Sequence, residues 1–309
     1  MRPIAAAVLS TTLNFTSYLP PGLAGRVAFR AFIRPLGRPR VRPAEEPLMA
    51  RAAIRRVTVN GEEVTTYRWG DGPRPVLVVH GWSSRASRFA GLIEALRAQG
   101  HTVVSFDAPG HGASEGTAAS VFDLRAVILR LHAEHGDFSA VVAHSIGGLA
   151  TFFSLRDGVR ADRVAAIGGV AYFDYLLDRF CAGLALNGRV RAALRHHVQH
   201  RLARGETDIW ERLDARRHAE GMPAPVLLVH DTQDDTVSAD QSRAIAAAFG
   251  PRARLVVTTG LGHRRIIADP EVIARVVEFV GTRSATSATS ATGTATASAT
   301  ASVAEPGAV

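Results

Sequence analysis

The stretch AVVAHSIGGLA, residues 140–150, constrains this chain more than any other part of its sequence. It begins with an apolar run typical of a short buried strand, continues with a serine among small residues, and opens an Ala- and Leu-rich helix. A serine at such a strand-to-helix turn sits in strained backbone with its hydroxyl exposed, so small residues are needed two positions before and after it. Ala143 and Gly147 occupy these positions around Ser145. The turn predicts a nucleophile, but a buried serine at an ordinary turn gives the same pattern, so other residues must support it.

Short apolar runs alternate with helical patterns on both sides of this turn. Asn60-Gly61 separates two β-branched runs, which is the strongest short-range signal for a hairpin. Buried strands are predicted at 76–79 and 102–106, further strands at 140–143, 163–167, 226–229 and 254–257, and helices at 86–99, 121–135, 147–155, 239–249 and 271–280. Strands that alternate with helices at this spacing indicate right-handed crossovers. The sequence therefore predicts an α/β fold, a mostly parallel sheet flanked by helices, with a core at residues 55–169 and 223–282.

Residues 170–222 interrupt this alternation. They are helical in character, with aromatic and leucine side chains first and arginine and histidine side chains later. This pattern predicts a small helical cap inserted after the sixth strand. His196 and His200 lie four residues apart and could share a metal ion. Because no carboxylate completes a recognisable ligand set, the pattern favours a solvated basic face and we predict no metal site.

Residues 1–54 precede the core and contain a basic amphipathic helix. Three arginines recur at steps of four within residues 23–34, which places them on one helix face, and Pro35 is expected to end the helix. The Pro- and Arg-rich residues 35–47 predict an extended linker. We expect the helix to lie on the body of the domain, and attachment to an anionic membrane surface or a partner is the alternative.

The basic charge does not predict a nucleic-acid partner. The formal net charge is +8, and all 36 basic residues are arginines without a single lysine. Together with abundant Ala and Gly, this pattern is typical of a GC-rich genome. The arginines are also spread along the chain and accompany no nucleic-acid-binding motif, which favours a solvated surface.

Cysteine content and hydropathy restrict the classes of protein to which this chain could belong. Cys181 is the single cysteine, which excludes an internal disulfide and a cysteine-based zinc site. No run of about 18 apolar residues predicts a membrane span. We predict a cytoplasmic protein, with peripheral membrane contact through residues 23–34 as the alternative.

The low-complexity tail, residues 283–309, cannot bury a core and is predicted to be disordered. The oligomeric state is not predicted.

Two later segments supply an acid and a base for a serine nucleophile. A serine hydroxyl needs a base to take its proton, and that base needs a third group to orient it. His263 follows the last predicted strand in the sequence GLGH, and Asp231, Asp234 and Asp235 follow the strand before it. Taken singly, the histidine could lie in a surface loop and each aspartate could form a turn.

Together these segments resemble the α/β-hydrolase family. The turn around Ser145 is similar to the family's nucleophile elbow, with Ala143 in place of its first glycine. The segment HDTQDDTV resembles the family's acid loop and selects Asp234, with Asp235 as the competitor, while GLGH selects His263. The turns HGW and DAPGHG after earlier strands also match. The resemblance covers roughly residues 55–282 and implies an α/β-hydrolase fold.

This resemblance implies a serine hydrolase of carboxylic esters. Ser145 would attack the ester, His263 would act as base and then acid, and Asp234 would orient His263. The backbone N–H groups of Trp82 and Ile146 would hold the oxyanion. No metal or organic cofactor is needed, and the partner would be a small-molecule ester. The alternatives are hydrolysis of an amide, thioester, lactone or carbon–carbon bond on the same triad, and a binding protein that keeps the fold without catalysis.

Overall fold

The sheet has eight strands. A computed structural model describes residues 3–18 and 23–282 of the chain. The strands are β1 (Ala53–Val59), β2 (Glu62–Trp69), β3 (Val76–Val79), β4 (Val103–Phe106), β5 (Ala140–His144), β6 (Val164–Ile167), β7 (Val226–Asp231) and β8 (Ala253–Thr258). Their order is β1-β2-β4-β3-β5-β6-β7-β8. The strands from β3 to β8 pair in parallel, while β2 pairs antiparallel with both β1 and β4. The predicted α/β fold with a mostly parallel sheet is confirmed.

The first two strands form the hairpin predicted at Asn60-Gly61. Both turn residues have positive φ, 51° at Asn60 and 83° at Gly61. Such a turn matches the twist of the flanking strands, and asparagine and glycine adopt it most readily. β1 and β2 pair in register from Val59 and Glu62 outward. The hairpin therefore extends the edge of the sheet next to β4.

Helices cover both faces of the sheet. They are α1 (Pro3–Thr16), α2 (Leu23–Phe32), α3 (Glu46–Ala50), α4 (Ala90–Ala98), α5 (Val121–His135), α6 (Ile146–Arg156), α7 (Phe173–Gly183), α8 (Gly188–His197), α9 (Ile209–Arg212), α10 (Asp240–Phe249), α11 (Gly262–Arg265) and α12 (Pro270–Gly281). α5, α6 and α10 bury one hydrophobic cluster, and α4 and α12 bury another. The central strands β3, β5 and β6 are buried on both faces. This burial explains why they are continuous apolar runs in the sequence.

The helices α7, α8 and α9 lie between β6 and β7, where the cap was predicted. α7 packs against α8, which continues into a π-helical turn at Val198–Leu202. His196 and His200 have ring centroids 4.2 Å apart. Within residues 3–18 and 23–282, no three His, Cys, Asp or Glu side chains are grouped so that they could hold a metal ion.

The predicted amphipathic helix corresponds to α2 and lies on the cap. Ala24, Ala28 and Phe29 are buried, and α2 packs against α8. Arg26 and Arg30 are exposed on the outer face. Contact of this arginine face with a membrane stays a prediction. No helix within the described part of the chain is both long and apolar enough to span a bilayer.

The prediction of an extended linker over residues 35–47 is wrong at the end of this segment, where a 3₁₀ turn at Pro43–Glu45 leads into α3. The residues before this turn are held against the domain, since the Arg38 guanidinium donates to the carbonyls of Ser114 and Gly116. Proline and arginine content indicates lack of regular structure, but it does not reveal such contacts. The predicted disorder of residues 283–309 lies outside the described residues.

Candidate active site

Ser145 forms the sharp turn between β5 and α6. Its φ of 56° lies in the left-handed region that non-glycine residues rarely adopt. Its N–H donates to the Ile167 carbonyl on the next strand, at 3.0 Å. Gly147 passes so close to the neighbouring strand that a Cβ there would lie 2.7 Å from the His80 carbonyl oxygen. The turn is therefore held by β3 and β6, which explains the requirement for small residues around the serine.

The structure brings Ser145, His263 and Asp234 into one hydrogen-bonded chain. His263 Nε2 lies 3.1 Å from Ser145 Oγ, and His263 Nδ1 lies 2.7 Å from Asp234 Oδ2. Because a carboxylate accepts at Nδ1, that nitrogen carries the proton and Nε2 presents its lone pair to the serine. All three side chains are largely buried. Such an arrangement can remove the serine proton as the hydroxyl attacks.

The structure distinguishes the three aspartates at and after the end of β7. Asp234 contacts His263, whereas the Asp235 side chain is exposed and accepts from the Thr236 hydroxyl. Asp231 is fully buried and accepts from the Leu261 N–H at 3.0 Å and the Thr258 hydroxyl at 2.8 Å. Asp231 thus anchors the loop that carries His263. Its place in the sequence, where the family pattern has glycine, gives no signal of this contact.

Asp234 is surrounded by hydrogen-bond donors. Burial alone would raise the pKa of its carboxyl, but hydrogen bonds from His230, His263 and the Val237 N–H outweigh burial and hold the pKa well below its usual range. His230 is fully buried, and its Nε2 lies 2.9 Å from the Val237 carbonyl and 3.3 Å from Asp234 Oδ2. Asp234 is therefore ionised at neutral pH and can stabilise a protonated His263.

A second histidine, His144, packs against His263. The two ring centroids are 4.6 Å apart, and His144 Nε2 donates to the His263 carbonyl at 2.8 Å. Burial, together with the nearby His263, lowers the pKa of His144 to about 3. His144 is therefore neutral at physiological pH and fixes the backbone of His263 without adding a positive charge beside it. Sequence analysis did not identify this role.

The predicted oxyanion donors are the backbone N–H groups of Ile146 and Trp82, two residues that line one cavity together with Ser145. Ile146 is the first residue of α6, so its N–H has no acceptor within the helix. Trp82 follows the glycine after β3 and lines the same cavity as Ser145 and Ile146. The loop at Trp82 is fixed because the Ser83 N–H donates to His111 Nε2 at 3.1 Å. Burial, more than the nearby His80, lowers the pKa of His111 to about 4, so its imidazole is neutral.

An apolar cavity of about 410 Å³ opens beside Ser145. The cap and the N-terminal segment contribute four aromatic and aliphatic side chains to its wall, Phe32, Phe173, Leu176 and Phe180. Phe32 meets Phe173 and Phe180 edge to face, with ring centroids 5.8 Å and 5.3 Å away. The cavity can therefore hold an apolar chain attached to a carbonyl at Ser145.

A comparison with family models gives one match. Residues 76–276 match the model described as the alpha/beta hydrolase family. The match begins at β3 and ends within α12, so it covers Ser145, Asp234 and His263. The hairpin and the whole N-terminal segment lie outside it.

Curated relatives and a solved structure also resemble the chain. It is 30% identical over 138 residues (43% of this chain) to the dihydrolipoyllysine-residue acetyltransferase component of an acetoin cleaving system from Cupriavidus necator. It is 35% identical over 114 residues (36% of this chain) to the magnesium-chelatase 30 kDa subunit of Rhodobacter capsulatus. These matches span only 37% and 39% of the relatives' own lengths. The structure of a Pyrococcus furiosus esterase superposes with a TM-score of 0.58 at 20% identity, covering 79% of this chain and 96% of the esterase.

Proposed function

The chain belongs to the alpha/beta hydrolase family, and we propose that it cleaves carboxylic esters through an acyl-enzyme intermediate on Ser145. The observation that carries this proposal is the continuous hydrogen-bonded chain from Ser145 through His263 to Asp234. A serine with this partner can attack a carbonyl at neutral pH, because the histidine accepts its proton and the carboxylate stabilises the resulting imidazolium.

In the first half of the reaction, Ser145 Oγ bonds to the ester carbonyl carbon while its proton passes to His263 Nε2. The carbonyl oxygen becomes an oxyanion, which the N–H groups of Ile146 and Trp82 would bind. Each such donor contributes about 3 kcal/mol to transition-state stabilisation. The bond to the alcohol oxygen then breaks, and His263 gives its proton to that oxygen.

In the second half, water hydrolyses the acyl-enzyme. His263 Nε2 takes one water proton as the water oxygen bonds to the acyl carbon. The bond to Ser145 Oγ then breaks, and His263 returns the proton to the serine. The net reaction consumes one ester and one water and gives one acid and one alcohol. It needs neither a metal nor an organic cofactor.

The apolar cavity supports an aliphatic or aromatic acyl group. Burial of one methylene contributes about 0.8 kcal/mol, which corresponds to a rise of up to about fourfold in kcat/KM for each added carbon. We therefore expect kcat/KM to increase with acyl length until the cavity of about 410 Å³ is filled.

A series of p-nitrophenyl esters from acetate to palmitate tests this function. Wild type should hydrolyse the esters with an optimum set by the cavity, and Ser145→Ala should lose about 10⁴-fold or more in kcat while keeping its fold. Near-ultraviolet circular dichroism of both proteins controls for folding. Equal turnover by wild type and Ser145→Ala would refute the assignment of the nucleophile.

A further inference from the structure

A second cavity lies on the other side of Ser145. It has a volume of about 320 Å³, and we call it the basic cleft. Its wall includes Ser145, His144 and His263 from the catalytic side, and Leu36, Pro39 and Arg42 from the N-terminal segment. Trp82, Ser145 and Thr236 line both cavities, so the serine stands between them.

The position of His263 assigns the basic cleft to the alcohol part of an ester. His263 must give its proton to the departing alcohol oxygen, so this oxygen has to lie beside Nε2. Among the described residues, His263 lines the basic cleft and not the apolar cavity. The acyl group therefore belongs in the apolar cavity, and the alcohol belongs in the basic cleft.

The charged side chains that line the basic cleft are all positive. Three arginines line it, Arg42, Arg88 and Arg264, and no carboxylate of the described residues does. Arg88 is held in place, because its guanidinium contacts both oxygens of Glu45 and donates to the Arg40 carbonyl at 2.8 Å. Glu45 is thereby occupied with Arg88, and it lies 3.9 Å from the Nε of Arg42.

Arg264 has no acidic partner among the described residues, and Arg42 has a distant one, Glu45 at 3.9 Å. Arg264 is exposed beside His263 and forms no ion pair with any acid in residues 3–18 and 23–282. Arg42 is also exposed, with 69% of its side chain accessible. Guanidinium groups bind carboxylates and phosphates through paired N–H donors. The excess positive charge is thus placed where the alcohol part of the substrate would lie.

We propose that the basic cleft binds an alcohol that carries an anionic group, a carboxylate or a phosphate, near Arg264 and Arg42. This inference rests on the proposed ester hydrolysis and adds a substrate class to it. The enzyme would cleave esters with an apolar acyl group and an anionic alcohol.

Three butyrate esters that differ only in the para substituent of the phenol test the proposal. They are the butyrates of 4-hydroxybenzamide, 4-hydroxybenzoate and 4-hydroxyphenyl phosphate. Removing the charge in Arg264→Gln should lower kcat/KM for an anionic ester about tenfold, because a hydrogen bond to a charged group is lost. For the neutral benzamide ester, kcat/KM should change less than about twofold in the same variant. The anionic ester whose kcat/KM falls more in Arg264→Gln shows whether the cleft prefers a carboxylate or a phosphate.

Two further variants sharpen the comparison. Arg42→Gln should lower kcat/KM for the same anionic ester about threefold, a smaller loss because Glu45 already neutralises part of the Arg42 charge. Arg160→Gln is the matched control, because Arg160 is an exposed arginine before the amino end of β6, whereas Ser145 and His263 follow the carboxyl ends of β5 and β8. This variant should leave kcat/KM unchanged for all three butyrate esters. Equal losses for neutral and anionic esters in Arg264→Gln, or no loss for either, would overturn the proposal.

A binding measurement separates this proposal from the proposed function. The three phenols are titrated calorimetrically into Ser145→Ala and into Ser145→Ala combined with Arg264→Gln. Tighter binding of an anionic phenol that disappears with Arg264 supports the basic cleft even if wild type cleaves no ester. Equal affinity for the anionic and neutral phenols overturns it, even if the neutral ester is cleaved.

Discussion

The proposed catalytic side chains and the walls around them come from different parts of the chain. Ser145, Asp234 and His263 follow β5, β7 and β8, three of the four consecutive parallel strands from β5 to β8, so their positions are set by strand pairing. In contrast, Phe32 and Arg42 belong to a segment before the first strand and outside the family match. In the proposed reaction, the sheet would therefore set the reaction type, while the N-terminal segment and the cap would select the substrate.

The largest effect should come from the sheet side of this comparison. Asp234→Asn keeps the side-chain shape but loses the charge that orients and stabilises His263, so kcat should fall about 10³- to 10⁴-fold. Asp235→Asn is the matched control, since the neighbouring carboxylate is exposed, and should stay within about threefold. Steady-state kinetics on p-nitrophenyl butyrate measures both. A larger loss in Asp235→Asn would assign the acid to Asp235.

An effect of intermediate size should come from acid. Lowering the pH should reduce the free energy of unfolding, because buried histidines lie at the ends of the sheet strands and in the loops that follow them. Burial, the largest cause in each case, lowers the pKa of His144 to about 3 and of His111 to about 4, against about 6.5 in the unfolded chain. The unfolded state therefore binds more protons once the pH falls below 6.5. The free energy of unfolding should drop by about 2 kcal/mol for each histidine between pH 6.5 and 4.5.

Urea denaturation at several pH values measures this dependence. His144→Gln should reduce the slope by about one proton, because a neutral side chain then occupies the site in both states. Gln99→Ala is the control, since Gln99 is exposed and has no titratable side chain, and should leave the slope unchanged. A slope that is the same in His144→Gln and wild type would show that His144 is protonated in the folded protein.

The smallest effect should come from the N-terminal segment. Phe32→Ala removes a ring from the wall of the apolar cavity, so kcat/KM for octanoate esters should fall about five- to tenfold while the acetate ester changes less than twofold. Phe15→Ala is the control, because Phe15 is 71% exposed on α1. A uniform loss across acyl lengths would contradict a role of Phe32 in substrate selection and would remove the distinction between the two regions.

Local patterns predicted the sheet because each strand carries its own signal. Burial on both faces makes β3 and β5 continuous apolar runs, and the hairpin is specified by Asn60-Gly61. Ser145 follows β5 and His263 follows β8, so the parallel sheet brings both to the carboxyl ends of its strands. Membership of the alpha/beta hydrolase family, predicted from those turns, is confirmed.

Contacts between remote segments could not be predicted in the same way. Nothing in the sequence near Phe32 or Arg42 indicates that they face the serine, because their neighbours in space come from the cap and from the loop after β8. Asp234 and Asp235 are adjacent and identical in chemistry, so only the direction of each side chain distinguishes them. The helix α1 also went unpredicted, since residues 3–16 show no clear periodicity between apolar and polar positions.

Covalent labelling with a fluorophosphonate tests most directly whether Ser145, His263 and Asp234 work as one unit. The probe reacts with a serine only when a base activates its hydroxyl. Intact mass and peptide mapping of wild type should show one adduct on the peptide that contains Ser145, with none in Ser145→Ala and labelling slowed at least 100-fold in His263→Ala, about the minimum contribution of a general base. Failure of folded wild type to react, or an equal adduct in Ser145→Ala, would contradict the account.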